Sequence, residues 1–257
     1  MPIRLLSTDF DGTLIGHHAD ARTVRSLSGA LTGLRRQGAV WAVNTGRQLW
    51  FALEGLEQAA LPHDPEFVLT SEKDIYRRIE EGSWEAFGDW NAQTERQTID
   101  LFDRAAHVVT AIEAMVATRD GIELLYENER LAGLMTEDPG TMDLMAGMVR
   151  ELAADVPEFS FNRNHVWMRF AHFGIHKGSS LAELSRLLGI PREDVLAIGD
   201  HHNDIPMLDG SSAAMVACPS NAVPEVQELV RRNAGYVSPH PWGEGVADAI
   251  RHFSSVN

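Results

Sequence analysis

The sequence predicts an α/β protein: a parallel sheet flanked by helices and interrupted by a second, α+β unit. Two observations carry this. Toward both ends of the chain, short apolar strands alternate with amphipathic helices, the pattern of a parallel sheet covered on both faces. The middle has another rhythm, a helix followed by two strands, used twice. That αββαββ order is satisfied by helices packed on one face of an antiparallel sheet. The 257 residues, 44% hydrophobic and 23% charged, are enough for one large domain or two smaller ones.

In chain order, residues 5–10 form a first strand that runs into Asp11-Gly12-Thr13. Residues 21–37 read as a helix, with Leu27, Leu31 and Leu34 on one face and Gly38 as its stop. A second strand, 39–43, ends at Asn44-Thr45-Gly46-Arg47, and a helix starts near Gln48. Residues 67–70 are a third strand. The long helix 91–118 carries Leu101, Ala105, Val108, Ile112 and Met115 along one side. Strands 122–126 and 131–134, helix 141–154, and strands 158–161 and 165–170 complete the αββαββ unit. Helix 177–188 is closed by Gly189 and Pro191. Strand 195–198 leads into Gly199-Asp200, followed by strand 213–217 and helix 225–232. The expected division is a core of residues 1–82 and 170–257, with 83–169 inserted.

Charge and composition exclude several classes of partner. Lys plus Arg number 22 against 37 Asp plus Glu, a formal charge of −15, which disfavours nucleic acid as the main partner. Apolar runs are too short for a membrane span, and the first residues lack the length of a secretory signal. Cys218 is the only cysteine, so no intramolecular disulfide can form; a reducing, cytoplasmic setting is expected.

Four polar sets follow predicted strands, where open α/β sheets bind ligands. In Asp9-Phe10-Asp11-Gly12-Thr13, strand alternation points both carboxylates the same way, and such a pair needs a cation or a shared proton between them. One can serve as nucleophile and the other as proton donor; a surface Asp-Gly turn is the bland alternative. Thr45-Gly46-Arg47 offers a hydroxyl and backbone N–H groups to an anion, or simply a helix cap. Lys177 opens a helix, where its charge opposes the macrodipole, and Lys73 is the only other lysine in the chain. Gly199-Asp200-His201-His202-Asn203-Asp204 supplies Asp200 and Asp204 as hard oxygen donors suited to Mg²⁺. His201 and His202 are read as loop residues, since adjacent histidines rarely face one metal.

Together these sets resemble the four motifs of the haloacid dehalogenase superfamily of Mg²⁺-dependent phosphohydrolases. Asp9 to Thr13 matches the first, Thr45 the second, Lys177 the third, and Gly199-Asp200 with Asn203-Asp204 the fourth. Residues 219–224 and 244–247 are similar to C-terminal blocks of the Cof-type subgroup. The insert's place and αββαββ order resemble that family's C2B cap, which implies a Rossmann-like core beneath it. The resemblance implies that Asp9 attacks phosphorus and that Asp11 handles the proton. It implies Mg²⁺ held by Asp9, the Asp11 backbone carbonyl and Asp200, with Asp204 steadying the set. Thr45, Gly46, Lys177 and Asn203 would bind phosphoryl oxygens. The expected activity is hydrolysis of a small phosphorylated metabolite, plausibly a sugar phosphate; a phosphomutase of the phosphomannomutase type is the alternative, and a non-catalytic binding protein a third. The second aspartate, Asp11, argues against dehalogenation. Specificity is expected from the cap, with Arg47, Arg169 and His165 as candidate substrate contacts or as ordinary ion pairs and strand-face residues. Trp84, Trp90 and Trp167 are candidates for a sugar-facing wall or for core packing. One departure stands out: relatives often carry Asn-Gly where this chain has Ser71-Glu72-Lys73-Asp74.

Overall fold

The structure is a computed structural model that describes residues 2–16, 21–61, 63–127 and 129–255. It divides into two compact units, Met1–Asn91 with Lys177–Asn257, and Ala92–His176. The larger unit starts with β1 (Leu5–Thr8), α1 (Ala21–Arg36), β2 (Val40–Asn44), α2 (Leu49–Ala59), β3 (Phe67–Thr70), β4 (Asp74–Arg78) and β5 (Trp84–Ala86). The inserted unit follows with α3 (Trp90–Arg104), α4 (Ala106–Val116), β6 (Ile122–Glu127), β7 (Arg130–Thr136), α5 (Pro139–Leu152), β8 (Phe159–Asn164) and β9 (Trp167–His172). The chain then returns to the larger unit as α6 (Lys177–Leu188), β10 (Val195–Ile198), α7 (Ile205–Leu208), β11 (Met215–Cys218), α8 (Pro224–Arg232), β12 (Tyr236–Val237) and α9 (Trp242–Ser255). Among the described residues no helix is long and apolar enough to cross a membrane.

The large sheet has the order β12-β11-β10-β1-β2-β3-β4-β5, parallel from β12 to β3 and antiparallel at β4 and β5. Successive strand residues face opposite ways, and the core follows that period of two. Leu6, Val43, Val68, Leu196 and Ile198 pack with α1, α2 and α9, through Leu27, Leu31, Leu34, Leu56, Val246 and Ile250. Leu5, Ala42, Leu69, Val195 and Ala197 pack on the other face with α6, α7 and α8, through Leu181, Leu184, Leu208, Val226 and Val230. Burial on both faces is why these strands read as apolar runs rather than alternating ones.

The hairpin β4–β5 belongs to the larger unit, whose first segment runs through Asn91. Residues 84–86 are hydrogen-bonded to β4 and extend the large sheet. Trp84 packs against the core, and Arg77 on β4 pairs with Glu85 opposite it on β5. β5 is the edge strand and β4 lies next to it; both are short and partly polar, and no apolar run announces them.

The inserted unit has a four-stranded antiparallel sheet of order β6-β7-β9-β8. One face packs on the helices through Leu101, Val108, Ile112, Met142, Met145, Val149, Leu134, Met168 and Phe170. Asp138 starts α5 by accepting a hydrogen bond from Thr141 N at 3.0 Å, with Pro139 in the first turn. The expected single helix over 91–118 is two helices. Ala105, fully buried, takes φ −94° and ψ 17°. Ala105 N still donates to Leu101 O at 2.8 Å and Val109 N to Ala105 O at 3.1 Å, so the interruption is a kink and the apolar face continues through it.

Gly133 on β7 stands opposite Arg169 on β9, and a Cβ there would run into the Met168 backbone carbonyl. Because the obstacle is backbone, it cannot rotate away. Gly133→Ala is expected to destabilise the inserted unit by about 1–3 kcal/mol. Amide exchange across β7 and β9, together with thermal unfolding of the full chain, reads this; unchanged protection on both strands would refute it.

Candidate active site

The register aligns Thr8 with both Val43 and Ile198, so β1, β2 and β10 end side by side. This is where the strand order reverses direction around β1, the position at which open α/β sheets form a crevice. Asp9 emerges from β1, Thr45 from β2 and Asp200 from β10. Asp9 N continues the ladder by donating to Ile198 O at 2.9 Å.

Lys177 joins these strand ends. Its side chain is fully buried, and Nζ donates to Asp9 Oδ1 and Asp204 Oδ1, each at 2.6 Å. Its backbone carbonyl accepts from Asn44 Nδ2 at 3.0 Å, at the end of β2. Asp204 is equally committed. Its Oδ2 accepts from the backbone N–H of Asp200 at 2.8 Å and of His201 at 3.0 Å, closing a 3₁₀ turn over His202–Asp204. Thr13 Oγ1 donates to Asp200 Oδ1 at 2.7 Å. Gly12 makes the sharp turn with φ 78°, and a Cβ there would collide with the Asp200 carboxylate. The glycine is therefore required both by conformation and by space.

Asp9, Asp200 and Asp204 bring carboxylate oxygens within 4.8 Å of one another. Among the described residues no histidine joins that group; His202 Nε2 lies 3.9 Å from Glu225 Oε2. Burial, followed by repulsion from Asp204, holds the Asp9 carboxyl well above the usual carboxylate range. The same two causes push Asp200 up to about 7. Burial alone would lower Lys177, but Asp204, Asp9 and Glu72 outweigh it and keep its ammonium protonated. The cluster thus holds more buried negative charge than one lysine offsets. A divalent cation held by these hard oxygens would offset that imbalance.

Asp11, two residues beyond Asp9, is in a different setting. Its side chain is 42% exposed and gripped by the Arg47 fork, with Nε to Oδ2 at 2.7 Å and the second nitrogen to Oδ1. Arg47 is itself fixed: its guanidinium carbon lies 4.3 Å from the centre of the Phe51 ring and 4.9 Å from that of Phe10. Arg47 N donates to Thr45 Oγ1 at 3.2 Å, so the hydroxyl caps the start of the turn before α2. Asn203 Nδ2 donates to Glu72 Oε1 at 2.7 Å.

The structure therefore gathers Asp9, Asp11, Thr45, Gly46, Arg47, Lys177, Asp200, Asn203 and Asp204 at one end of the large sheet. Arg169 belongs to the inserted unit, where its fork binds Glu127 at 2.9 and 3.0 Å. There His165 sits in a turn with φ 52° and Trp167 is exposed. Trp84 and Trp90 are packing residues of the larger unit, and Trp90 Nε1 donates to Lys73 O at 2.6 Å. Sequence reasoning did not find Thr13 and Asn44 as supports of the cluster. Thr13 lay inside the first motif, the one signal available for it.

Comparison with known proteins fits this geometry. A family profile described as haloacid dehalogenase-like hydrolase matches residues 116–250. The phosphoglycolate phosphatase of Methanothermobacter thermautotrophicus is 36% identical over 113 residues, 44% of this chain and 48% of that protein. Mannosylfructose-phosphate phosphatase of Agrobacterium fabrum is 26% identical over 259 residues, 98% of this chain and 97% of that one. The structure of a sucrose-phosphatase from Synechocystis, in complex with sucrose and phosphate, superposes with a TM-score of 0.73 at 21% identity, covering 99% of both chains.

The raised carboxyls set a pH dependence. Asp200 binds its proton more tightly folded, near 7, than unfolded, near 3.8, so its stabilising contribution is complete below the lower value and lost as pH rises through the higher. In a chelator, thermal stability is expected to fall between about pH 5 and pH 8 more steeply for the native chain than for Asp200→Asn. A divalent cation is expected to remove the difference. Parallel pH profiles of the two proteins in chelator would contradict this.

Proposed function

The chain belongs to the haloacid dehalogenase-like hydrolases and is a phosphatase of that family, and from that membership we propose that it hydrolyses small phosphomonoesters, sugar phosphates among them, through a phosphorylated Asp9. The observation that carries the proposal is the Asp9 carboxylate, buried at the end of β1 and held by Lys177 beside Asp200. Two full-length resemblances, to a mannosylfructose-phosphate phosphatase and a sucrose-phosphatase, support a sugar phosphate as the substrate class.

Asp9 spends Oδ1 on Lys177 and presents Oδ2 to phosphorus. As the new O–P bond forms, the bond to the leaving oxygen breaks, and Asp11 gives that oxygen a proton. Asp11 then takes a proton from water as the water oxygen attacks the phosphorus on Asp9, releasing inorganic phosphate and restoring the carboxylate. The Thr45 hydroxyl, the Gly46 backbone N–H, Lys177 and Asn203 receive the phosphoryl oxygens. The Arg47 fork fixes the Asp11 carboxylate through both oxygens, and one oxygen leaves that fork when Asp11 carries the proton. The donors are all hard oxygens, which fits Mg²⁺. Asp9, the Asp11 backbone carbonyl and Asp200 would hold that ion, which would supply the positive charge that lets a phosphate dianion approach several carboxylates.

Purified protein with Mg²⁺ and a panel of phosphorylated sugars tests the reading. Release of inorganic phosphate is expected; conversion to an isomeric sugar phosphate without release would show a mutase instead. Asp9→Asn is expected to lower turnover by at least about a thousandfold with the fold intact by circular dichroism. Chelation is expected to abolish activity and Mg²⁺ to restore it, and undiminished turnover in chelator would end the metal assignment.

A further inference from the structure

Glu72 occupies the departure from the Asn-Gly pair common among relatives, and nothing in the phosphatase chemistry above uses it. The residue is only 5% exposed, yet it carries a carboxylate. Its backbone takes φ 61°, following Ser71 at φ 51°, a conformation that ordinary side chains adopt at a cost. The surroundings hold it there. Glu72 N donates to Thr45 O at 3.2 Å, Ser71 N donates to Arg47 O at 2.8 Å, and Ser180 Oγ donates to Glu72 O at 3.1 Å.

The carboxylate meets the groups assigned to the phosphoryl oxygens. Oε1 accepts from Asn203 Nδ2 at 2.7 Å. A Cβ placed on Gly46 would stand 3.4 Å from the same Oε1, so the Gly46 backbone is an immediate neighbour. Its charge is among those that keep Lys177 protonated. Because a carboxylate repels an amide oxygen, Glu72 also decides which way the Asn203 amide faces. The amide nitrogen turns to Glu72, and Asn203 Oδ1 is left buried without a hydrogen bond.

We infer that Glu72 is a specificity-determining residue of the phosphoryl pocket, a fixed carboxylate that orients Asn203 and weakens retention of the phosphate dianion by like charge. The inference rests on the phosphatase reading for its meaning, since a tightly held product would stall turnover. A group that only braced the fold would need an acceptor oxygen at this point but no charge. Glutamine has the same length and the acceptor oxygen without the charge, so Glu72→Gln separates the two roles.

Calorimetric titration of inorganic phosphate into the Mg²⁺-loaded protein is the test. Glu72→Gln is expected to bind phosphate about tenfold more tightly than the native chain, the order expected for removing one nearby like charge from a partly screened site. KM for a hydrolysed monoester is expected to fall with it, while kcat does not rise. Glu72→Gly, which relieves the positive φ and so keeps the chain foldable, removes the acceptor as well as the charge and is expected to lower kcat as Asn203 loses its orientation. Unchanged or weaker phosphate binding in folded Glu72→Gln, or undiminished kcat in Glu72→Gly, overturns the inference. Failure of the native enzyme to release phosphate from any monoester would instead overturn the phosphatase reading, and the binding titration remains readable in that case.

Discussion

The buried ammonium of Lys177 is the contact through which the ends of three strands are held in one place. It reaches Asp9 after β1 and Asp204 after β10, while its carbonyl holds Asn44 at the end of β2. Asp9 lies 168 residues away in the chain and Asp204 lies 27 away, so this one side chain ties the two halves of the larger unit across the insertion. Taking such charges out of water costs several kcal/mol per ion, and a buried pair often returns no more than that cost. Stability alone therefore does not account for the cluster. Its value lies in presenting a carboxylate whose position and remaining oxygen are fixed before any ligand arrives, which removes reorganisation from the reaction.

Excess charge is the second consequence. Lys177 faces Asp9 and Asp204 directly, with Asp200 and Glu72 close by, so one buried ammonium stands among several carboxylates. The chain as a whole carries −15, so the wider field does not relieve the imbalance. An acidic protein can hold phosphate only if local positive charge exceeds this field at short range, where screening by water is weak. Lys177, the Gly46 backbone N–H and a divalent cation are of the kind required. Under the same logic Glu72 sets an upper limit on how tightly the phosphate is held.

Much of this was legible from the chain alone, for identifiable reasons. The observed limits of β3, β10 and α6 coincide with the expected 67–70, 195–198 and 177–188. Both strands are apolar runs buried on two faces, and α6 is bounded by a glycine and a proline, so nothing competes with the local signal. The edge hairpin β4–β5 was not legible, because its strands are half polar and their identity depends on pairing with β3. The kink at Ala105 carries no proline or glycine to mark it. The cluster of aspartates could be listed from motif spacing, but the contacts that tune it could not. Thr13 meets Asp200 across 187 residues, and Glu72 meets Asn203 across 131. Neither distance leaves a trace in local pattern.

Asp9 and Asp11 show how far environment differentiates identical side chains. Both follow β1, two residues apart, and alternation alone would give them equivalent surroundings. The intervening Phe10 is buried in the core, which locks the backbone there. Gly12 then turns the chain, so the second carboxylate leaves the interior that holds the first. Asp9 meets an ammonium and two further carboxylates in a buried site. Asp11 meets a planar guanidinium at the surface, where protons can exchange with solvent and with a departing oxygen. Arg47, which makes that two-pronged contact, also lies over the Phe10 and Phe51 rings, which help to hold its guanidinium in place. The aromatic residue between the aspartates is thus part of the chemistry: it anchors Asp9 through the backbone and Asp11 through Arg47.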